Sequence, residues 1–237
     1  MKRIILITLC MVVILFTGCT KEKEKNTSIE LYESTVTLHS METYQINAES
    51  ELPITYRSDD EFHAQVDENG LVTAGFVGET EIILSNGTDS KRVKIIVSPQ
   101  YNLYSDPVLD FGITKQQLIS ILGDPDIDDG NSMVYTDYDN LDVSPMVMYL
   151  FENSFLNAVI RLVNPSYVED LMLFLLERYY PLSSDFFVNG LTPDSISMGV
   201  VIGEMDIFIS VTYMQYDDVK SVQDVDGIIR HIVVPEF

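Results

Sequence analysis

The stretch "LPITYRSDDEFHAQVDENGLVTAGFVGETEI", residues 52–82, alternates apolar and polar residues in short runs. The runs at 53–57, 71–74 and 79–84 have the length and the period of two that are typical of β-strands. Asn69 and Gly70 tolerate the positive φ angles of a tight turn, and Gly78 marks the start of the next run. Short strands separated by turns predict a β-sandwich.

The same pattern extends to both sides of this stretch. Further alternating runs lie at 43–48 and 91–97, and Asn86 with Gly87 supplies another turn. We therefore predict one all-β domain over residues 28–98, followed by a linker at 99–104.

Four segments of this domain carry a family resemblance. They are "ITYRS" at 54–58, "AQVD" at 64–67, "NGLVTA" at 69–74 and "GETEI" at 78–82. Together they resemble the bacterial immunoglobulin-like group 2 domain, with Tyr56 where the family usually has tryptophan. The resemblance implies a module of surface proteins and adhesins, acting either as a stalk or by direct adhesion, and its motif carries no binding residue.

After the linker the apolar pattern changes to a helical period. Thr114 and Gln117 form a predicted capping box, and Gly123 followed by Pro125 ends the helix. Strands are predicted at 132–138, 146–151 and 155–163, the last two joined by a turn at 152–154.

A second helix is predicted to begin at a capping box of Ser166 and Glu169 and to stop before Pro181. Strands follow at 186–189, 196–202 and 205–214, with a hairpin turn at Gly203 and Glu204. The order over residues 105–216 is helix, three strands, helix, three strands. The fold class is thus a multi-domain chain, an all-β immunoglobulin-like sandwich followed by an α+β domain.

Two stretches of the second domain, "FGITKQQLISILGDPD" at 111–126 and "YLFENSFLNAVIRLV" at 149–163, resemble the β-lactamase-inhibitor-protein-like α+β group. That group also occurs in small envelope lipoproteins. The likeness is one of fold, so it implies no target and no binding residue here.

The first residues predict export. Lys2 and Arg3 precede an uncharged apolar run too short to span a bilayer comfortably, which is typical of a signal peptide over residues 1–18. "FTGC" at 16–19 resembles the lipobox of bacterial lipoproteins, which implies cleavage before Cys19 and a lipid on that residue. The charged tether at 19–27 indicates an outer-membrane protein on the cell surface, with the periplasmic face as the alternative.

Composition limits the partners. The formal net charge is −23, and it becomes −25 once residues 1–18, with two basic and no acidic residues, are removed. Such a chain repels phosphate backbones, which excludes nucleic acid and favours basic protein surfaces, cations or neutral ligands. Cys10 leaves with the signal peptide and Cys19 is lipidated, so no disulfide is expected.

No constellation in the sequence predicts chemistry. Asp124, Asp126, Asp128 and Asp129 could converge on calcium, but the EF-hand pattern fails because Asp129 and Tyr135 stand where glycine and glutamate are needed. A solvated loop is the preferred interpretation, and cation binding stays open. The three histidines lie far apart and no nucleophile motif is present, so we predict no enzyme, no metal and no cofactor.

Tyrosines are the remaining signal for an interface. Tyr135 and Tyr138 lie on one predicted strand, and Tyr213 and Tyr216 lie near the end of the last one. Tyrosine anchors interfaces well, although strand tyrosines are often half-buried sheet residues. The tail at 217–237 contains an apolar run at 228–234, which is either an added strand or a segment offered to a partner.

These observations predict a lipid-anchored, non-enzymatic envelope protein whose immunoglobulin-like stalk presents an α+β domain to a protein or peptide partner. The alternative is a periplasmic accessory or inhibitor lipoprotein that acts on an enzyme or an assembly machine. A hydrolase of unknown type is a third class.

Overall fold

The computed structural model of the protein describes residues 27–216. In this range the chain is mostly β-strand, with two α-helices. One hydrophobic cluster is built from residues between Ile29 and Val97, and another from residues between Tyr104 and Tyr213. We therefore describe two units, each around its own core. The predicted signal peptide, Cys19 and the tail at 217–237 lie outside the described residues.

The first unit is a β-sandwich, with two sheets packed around one core. Its strands are β1 (Glu30–Leu31), β2 (Thr35–Leu38), β3 (Thr43–Gln45), β4 (Ala48–Glu49), β5 (Thr55–Ser58), β6 (Ala64–Val66), β7 (Leu71–Ala74), β8 (Gly78–Ser85) and β9 (Ser90–Val97). One sheet has the order β2-β9-β8-β5 and the other β3-β7-β6, while β1 pairs with β4. Alternate side chains of β8 and β9, such as Ile82 and Ile95, are fully buried between the sheets, as the period of two predicts.

Gly75 follows β7 at a point where the backbone leaves no room for a side chain. A Cβ atom there would lie 2.4 Å from the carbonyl oxygen of Phe62, which is backbone and cannot rotate away. The Gly75 amide also donates a 2.8 Å hydrogen bond to the carbonyl of His63, so the two segments are held together.

We expect Gly75→Ala to lower the free energy of unfolding by about 1–3 kcal/mol, because overpacking forces the backbone to move. Chemical denaturation of Gly75→Ala beside Thr73→Ala checks this. The Thr73 side chain is exposed, so its loss should change stability by less than about 0.5 kcal/mol. Equal stability of the two variants would contradict the expectation.

The second unit is an eight-stranded antiparallel sheet with both helices on one face. Its elements are α1 (Lys115–Leu122), β10 (Ile127–Asp128), β11 (Ser132–Thr136), β12 (Met146–Glu152), β13 (Phe155–Val163), a 3₁₀ turn (Pro165–Tyr167), α2 (Val168–Leu176), β14 (Tyr180–Pro181), β15 (Phe186–Val188), β16 (Met198–Met205) and β17 (Phe208–Gln215). The strand order is β10-β11-β12-β13-β17-β16-β15-β14. Each predicted group of three strands therefore has a fourth, two-residue member, β10 or β14, at a sheet edge.

The two helices start differently. Thr114 caps α1 in the predicted capping box with Gln117, and Gly123 ends the helix with a φ of 85°. The predicted capping box of Ser166 and Glu169 does not form. Instead Asn164 accepts a hydrogen bond from the Ser166 amide and starts the 3₁₀ turn, so α2 begins at Val168 without a side-chain cap.

The last hairpin turns later than predicted. Met205 pairs with Phe208, so Asp206 and Ile207 form the turn, and Asp206 takes a positive φ of 54°. Gly203, which was predicted to lie in the turn, pairs with Ser210 inside the ladder. Aspartate tolerates the left-handed region better than most residues, which permits this position.

The linker between the units is fixed by one helix end. Glu177, at the C-terminus of α2, accepts hydrogen bonds from the backbone amides of Gln100 (2.9 Å) and Tyr101 (3.1 Å). Its own carbonyl accepts a bond of 2.8 Å from the amide of Val77 in the first unit. The Glu177 carboxylate also pairs with Arg178, and both side chains are more than nine-tenths buried. These contacts tie the linker and the sandwich to the second unit.

Candidate functional site

A cleft of about 530 Å³ opens in the second unit, between the end of α1, strand β11 and the segment that follows the linker. Its walls combine three tyrosines with acidic groups and one arginine. The lining side chains used below are those of Asp106, Tyr135, Asp137, Tyr138, Tyr149 and Arg161.

Arg161 is the cation among the residues that line the cleft. Its side chain is 4% exposed and forms an ion pair with Asp137. The guanidinium carbon also lies 4.9 Å from the ring centre of Tyr104, which is a favourable cation–π arrangement. Its Nε has no hydrogen-bond partner among the residues that the structure describes. Arg161 therefore lines the cleft as a buried, paired cation with one N–H donor that has no acceptor in the described range.

The tyrosines form one wall of the cleft. The rings of Tyr135 and Tyr149 meet edge to face, with centres 5.7 Å apart. Each hydroxyl is used to hold the wall: that of Tyr135 donates to the Gly123 carbonyl (3.0 Å) and that of Tyr149 accepts from the Val108 amide (3.2 Å). Tyr138 is 71% exposed at the rim. Tyr135 and Tyr149 thus form an aromatic surface held by hydrogen bonds, and the exposed ring of Tyr138 lies at its rim.

The four tyrosines predicted as interface residues do not lie together. Tyr135 and Tyr138 both line the cleft. Tyr213 is 0% exposed, and its hydroxyl lies 3.0 Å from that of Tyr104, so it belongs to the core rather than to a surface. Tyr216 follows the last residue of β17 and is not part of the cleft lining.

Sequence reasoning missed Arg161, Asp106 and Tyr149. A signal for Arg161 was present, because it is the one cation inside the long apolar run "FLNAVIRLV" at 155–163. A charge in such a strand is costly to bury unless it has a partner. The partner itself, Asp137, lies 24 residues earlier in the chain, and only the fold brings the two together.

Burial raises the pKa of Tyr104, Tyr179 and Tyr213 well above the usual value for tyrosine, because a phenolate is poorly solvated in the core. Their neutral form therefore stabilises the fold fully below the unfolded pKa of about 10, and this contribution is lost as the pH rises above it. In an alkaline titration we expect these three phenols to ionise in one cooperative step together with unfolding.

The titration is followed by tyrosinate absorbance beside circular dichroism. Tyr213→Phe should reduce the amplitude of that late step by one phenol among the 13 tyrosines of the chain. Ionisation of all the phenols before any loss of ellipticity would contradict the expectation.

The acidic run after α1 is used to hold its own loop. Asp126 accepts hydrogen bonds from the Thr136 amide (2.7 Å), which lower the pKa of its carboxyl group. Asp128 pairs with Lys115. Among residues 27–216 no three histidine, cysteine or acidic side chains are placed to hold a metal ion. In the same range no helix has the length and apolar character to cross a membrane.

Comparison with known proteins adds little to this picture. No protein-family model matches the chain, and no curated protein matches it either. Among solved structures, a crystal structure of human protocadherin-24 EC1-2 aligns with 80% of this chain and 95% of its own at 13% identity, with a TM-score of 0.26.

Proposed function

We propose that the protein is a non-enzymatic, lipid-anchored protein of the bacterial cell envelope. In this proposal the lipid is attached at Cys19, the immunoglobulin-like unit acts as a stalk, and the second unit, classed as an α+β domain, binds a protein or peptide partner. The lipobox-like "FTGC" and the apolar run before it support the anchor. The cleft of the second unit is the observation that carries the binding role.

The charges of the cleft favour a basic partner. Asp106, Asp137 and Asp139 line it together with a single cation, Arg161, which Asp137 already neutralises. The Asp106 side chain also contacts the Arg178 Nε at 3.2 Å but remains 57% exposed. A net negative cleft in a chain of net charge −23 attracts lysine or arginine side chains.

The tyrosines favour a polypeptide rather than a small ion. The walls of Tyr135 and Tyr149 are held by hydrogen bonds before any ligand arrives, so little side-chain entropy is lost on binding. Tyr138 at the rim can close over a bound chain, as aromatic residues do at interface hot spots. The fixed linker supports the stalk role, because a rigid connection holds the cleft at a constant distance from the sandwich.

Binding is tested with a lysine-rich peptide and a glutamate-rich peptide of equal length as probes, by isothermal titration. We expect the lysine-rich peptide alone to bind, and the double variant Tyr138→Ala/Asp139→Asn to weaken it about tenfold, which equals ~1.4 kcal/mol. Asp206→Asn, in a turn outside the cleft, is the charge-matched control and should retain most of the affinity. Equal losses in both variants would show that overall charge, not the cleft, attracts the peptide.

Location is tested by protease treatment of intact cells, with Cys19→Ala as the control. Cleavage on whole cells, together with loss of membrane attachment in the control, is the outcome expected of a surface-displayed lipoprotein. Protection in intact cells would instead favour the accessory or inhibitor role on the periplasmic side. Membrane attachment of Cys19→Ala would overturn the lipid anchor itself.

A further inference from the structure

Strand β11 is only partly covered at the edge of the eight-stranded sheet. Its outer neighbour, β10, has two residues and pairs with Met133 and Val134. The rest of the strand, Tyr135 and Thr136, has no strand on its outer side among the elements described between residues 27 and 216. Residues 135–138 all line the cleft. The cleft therefore contains a stretch of strand edge, where another chain can pair through its backbone.

The hydrogen bonds show which backbone groups point to this open edge. The amide of Asp137 donates to the carbonyl of Pro145 (2.8 Å), on the side of β12. The carbonyl of Thr136 belongs to the same trans peptide unit as that amide, so it points the opposite way, to the outer side. The carbonyl of Val134 confirms the direction, because it accepts from the amide of Asp126 (2.9 Å) on the outer side and alternate residues of a strand point alike.

A turn directs the next amide. The amide of Asn140 donates to the carbonyl of Asp137 (3.0 Å), which closes a β-turn with Tyr138 and Asp139 at its centre. The Tyr138 amide shares its peptide unit with that carbonyl and therefore points away from the inside of the turn. It takes no part in the bond that closes the turn.

Two of these backbone groups lack a partner. The amide of Thr136 donates to the Asp126 carboxylate (2.7 Å), so a side chain takes the place of a neighbouring strand there. Within residues 27–216, however, the Thr136 carbonyl accepts no hydrogen bond and the Tyr138 amide donates none. Backbone groups in a folded protein are normally paired or bound to water. The cleft thus offers a ligand one backbone acceptor and one backbone donor, on either side of Asp137.

We propose that the partner adds an extended, basic segment to this edge, with its main chain bonded to the Thr136 carbonyl and the Tyr138 amide. The inference rests on the proposed binding role of the cleft and specifies how the partner is held. A helix cannot use these two groups, because its own amides and carbonyls are bonded within the helix. An extended chain has both kinds of group free along its edge, and such pairing supplies affinity while side-chain pockets supply specificity.

The charges of the cleft determine which side chains of the partner enter it. Residues directly opposite each other in a sheet place their side chains on the same face. A partner residue opposite Asp137 therefore directs its side chain to the face where Asp137 pairs with Arg161. Asp106 and Asp139 line the same cleft. Lysine or arginine at every second position is the pattern that fits, because alternate side chains of a strand share a face.

Backbone methylation of a peptide probe tests the proposal. Three peptides of alternating lysine and threonine are compared by isothermal titration: one unmodified, one N-methylated at each lysine and one N-methylated at each threonine. Their side chains and charge are the same, but each methylated peptide lacks the amide donors of one strand edge. We expect one methylated peptide to bind about tenfold more weakly than the unmodified peptide and the other to keep its affinity. The lysine-methylated peptide loses affinity if the added strand is parallel to β11, and the threonine-methylated peptide if it is antiparallel.

The unmodified peptide separates this inference from the binding role itself. If it binds and the two methylated peptides have equal affinities, strand addition is overturned while the cleft remains a binding site. If the unmodified peptide does not bind, both proposals are overturned.

A pair of variants at Tyr138 tests the protein side of the contact. Tyr138→Pro and Tyr138→Ala both lose the ring, but only proline also removes the amide donor. Tyr138 has no positive φ and is the second residue of its turn, a position that favours proline, so both variants should unfold at similar urea concentrations. We expect Tyr138→Pro to bind the unmodified peptide about tenfold more weakly than Tyr138→Ala. Equal affinities of the two variants overturn the proposal.

Discussion

Replacing Arg178 with alanine is expected to lower the free energy of unfolding by about 3–5 kcal/mol, because the variant leaves the buried carboxylate of Glu177 without its cation. The two groups lie 2.5 Å apart, and Arg178 also donates to the carbonyl of Tyr101 (3.1 Å). Glu177 in turn holds the amides of Gln100 and Tyr101. One substitution therefore disturbs the linker, the end of α2 and the contact with the first unit together.

Urea denaturation measures the loss, and Arg57→Ala is the control. Arg57 pairs with Asp59 at 2.9 Å on the surface of the sandwich, where its side chain is 66% exposed, so its loss should cost less than about 1 kcal/mol. A double variant, Glu177→Gln/Arg178→Met, removes both charges and should recover part of the stability. A cost for Arg178→Ala no larger than that of Arg57→Ala would show that the ion pair contributes little.

Features encoded within a few residues were predictable from the sequence. The capping box of Thr114 and Gln117 and the helix end at Gly123 use side chains that bond to their own neighbourhood, so the pattern alone located α1. The β-sandwich was predictable for the same reason, since its alternating strands and Asn-Gly turn repeat a local pattern.

Features that depend on a competing neighbour or on a cross-strand partner were not. Ser166 and Glu169 match a capping box. The Asn164 side chain instead accepts a hydrogen bond from the Ser166 amide, and the chain begins a 3₁₀ turn there. The glycine at 203 suggested a turn, yet Gly203 pairs with Ser210 and the ladder continues to Met205. Register is set by the packing of whole strand faces, which a single turn residue does not reveal.

The candidate site shows the same division. Tyr135 and Tyr138, which their residue type predicts as interface residues, lie in the cleft, whereas Tyr213, predicted on the same grounds, lies in the core. The sequence does not tell which face of a strand becomes the interior when both faces of the sheet are apolar. Arg161 and Asp137 come from different elements, so their pairing depends on the strand order of the whole sheet.

Phe174→Ala is expected to cost about 3–5 kcal/mol, because it empties the centre of the second core. Phe174 is 0% exposed, and its ring centre lies 4.5 Å from that of Tyr104 and 3.7 Å from the guanidinium carbon of Arg178. The cavity would therefore remove an aromatic contact and a cation–π contact along with apolar burial.

Leu173→Ala is the matched control, since Leu173 is the preceding residue of α2 and its side chain is 40% exposed. Its loss should cost less than about 1 kcal/mol, because alanine also favours the helix. A thermodynamic cycle of Phe174→Ala with Arg178→Ala should show coupling of about 0.5–3 kcal/mol, as residues in direct contact do. If the two stability losses simply add, the ring of Phe174 does not stabilise the Arg178 side chain. The fixed connection between the two units would then depend on the hydrogen bonds of Glu177 alone.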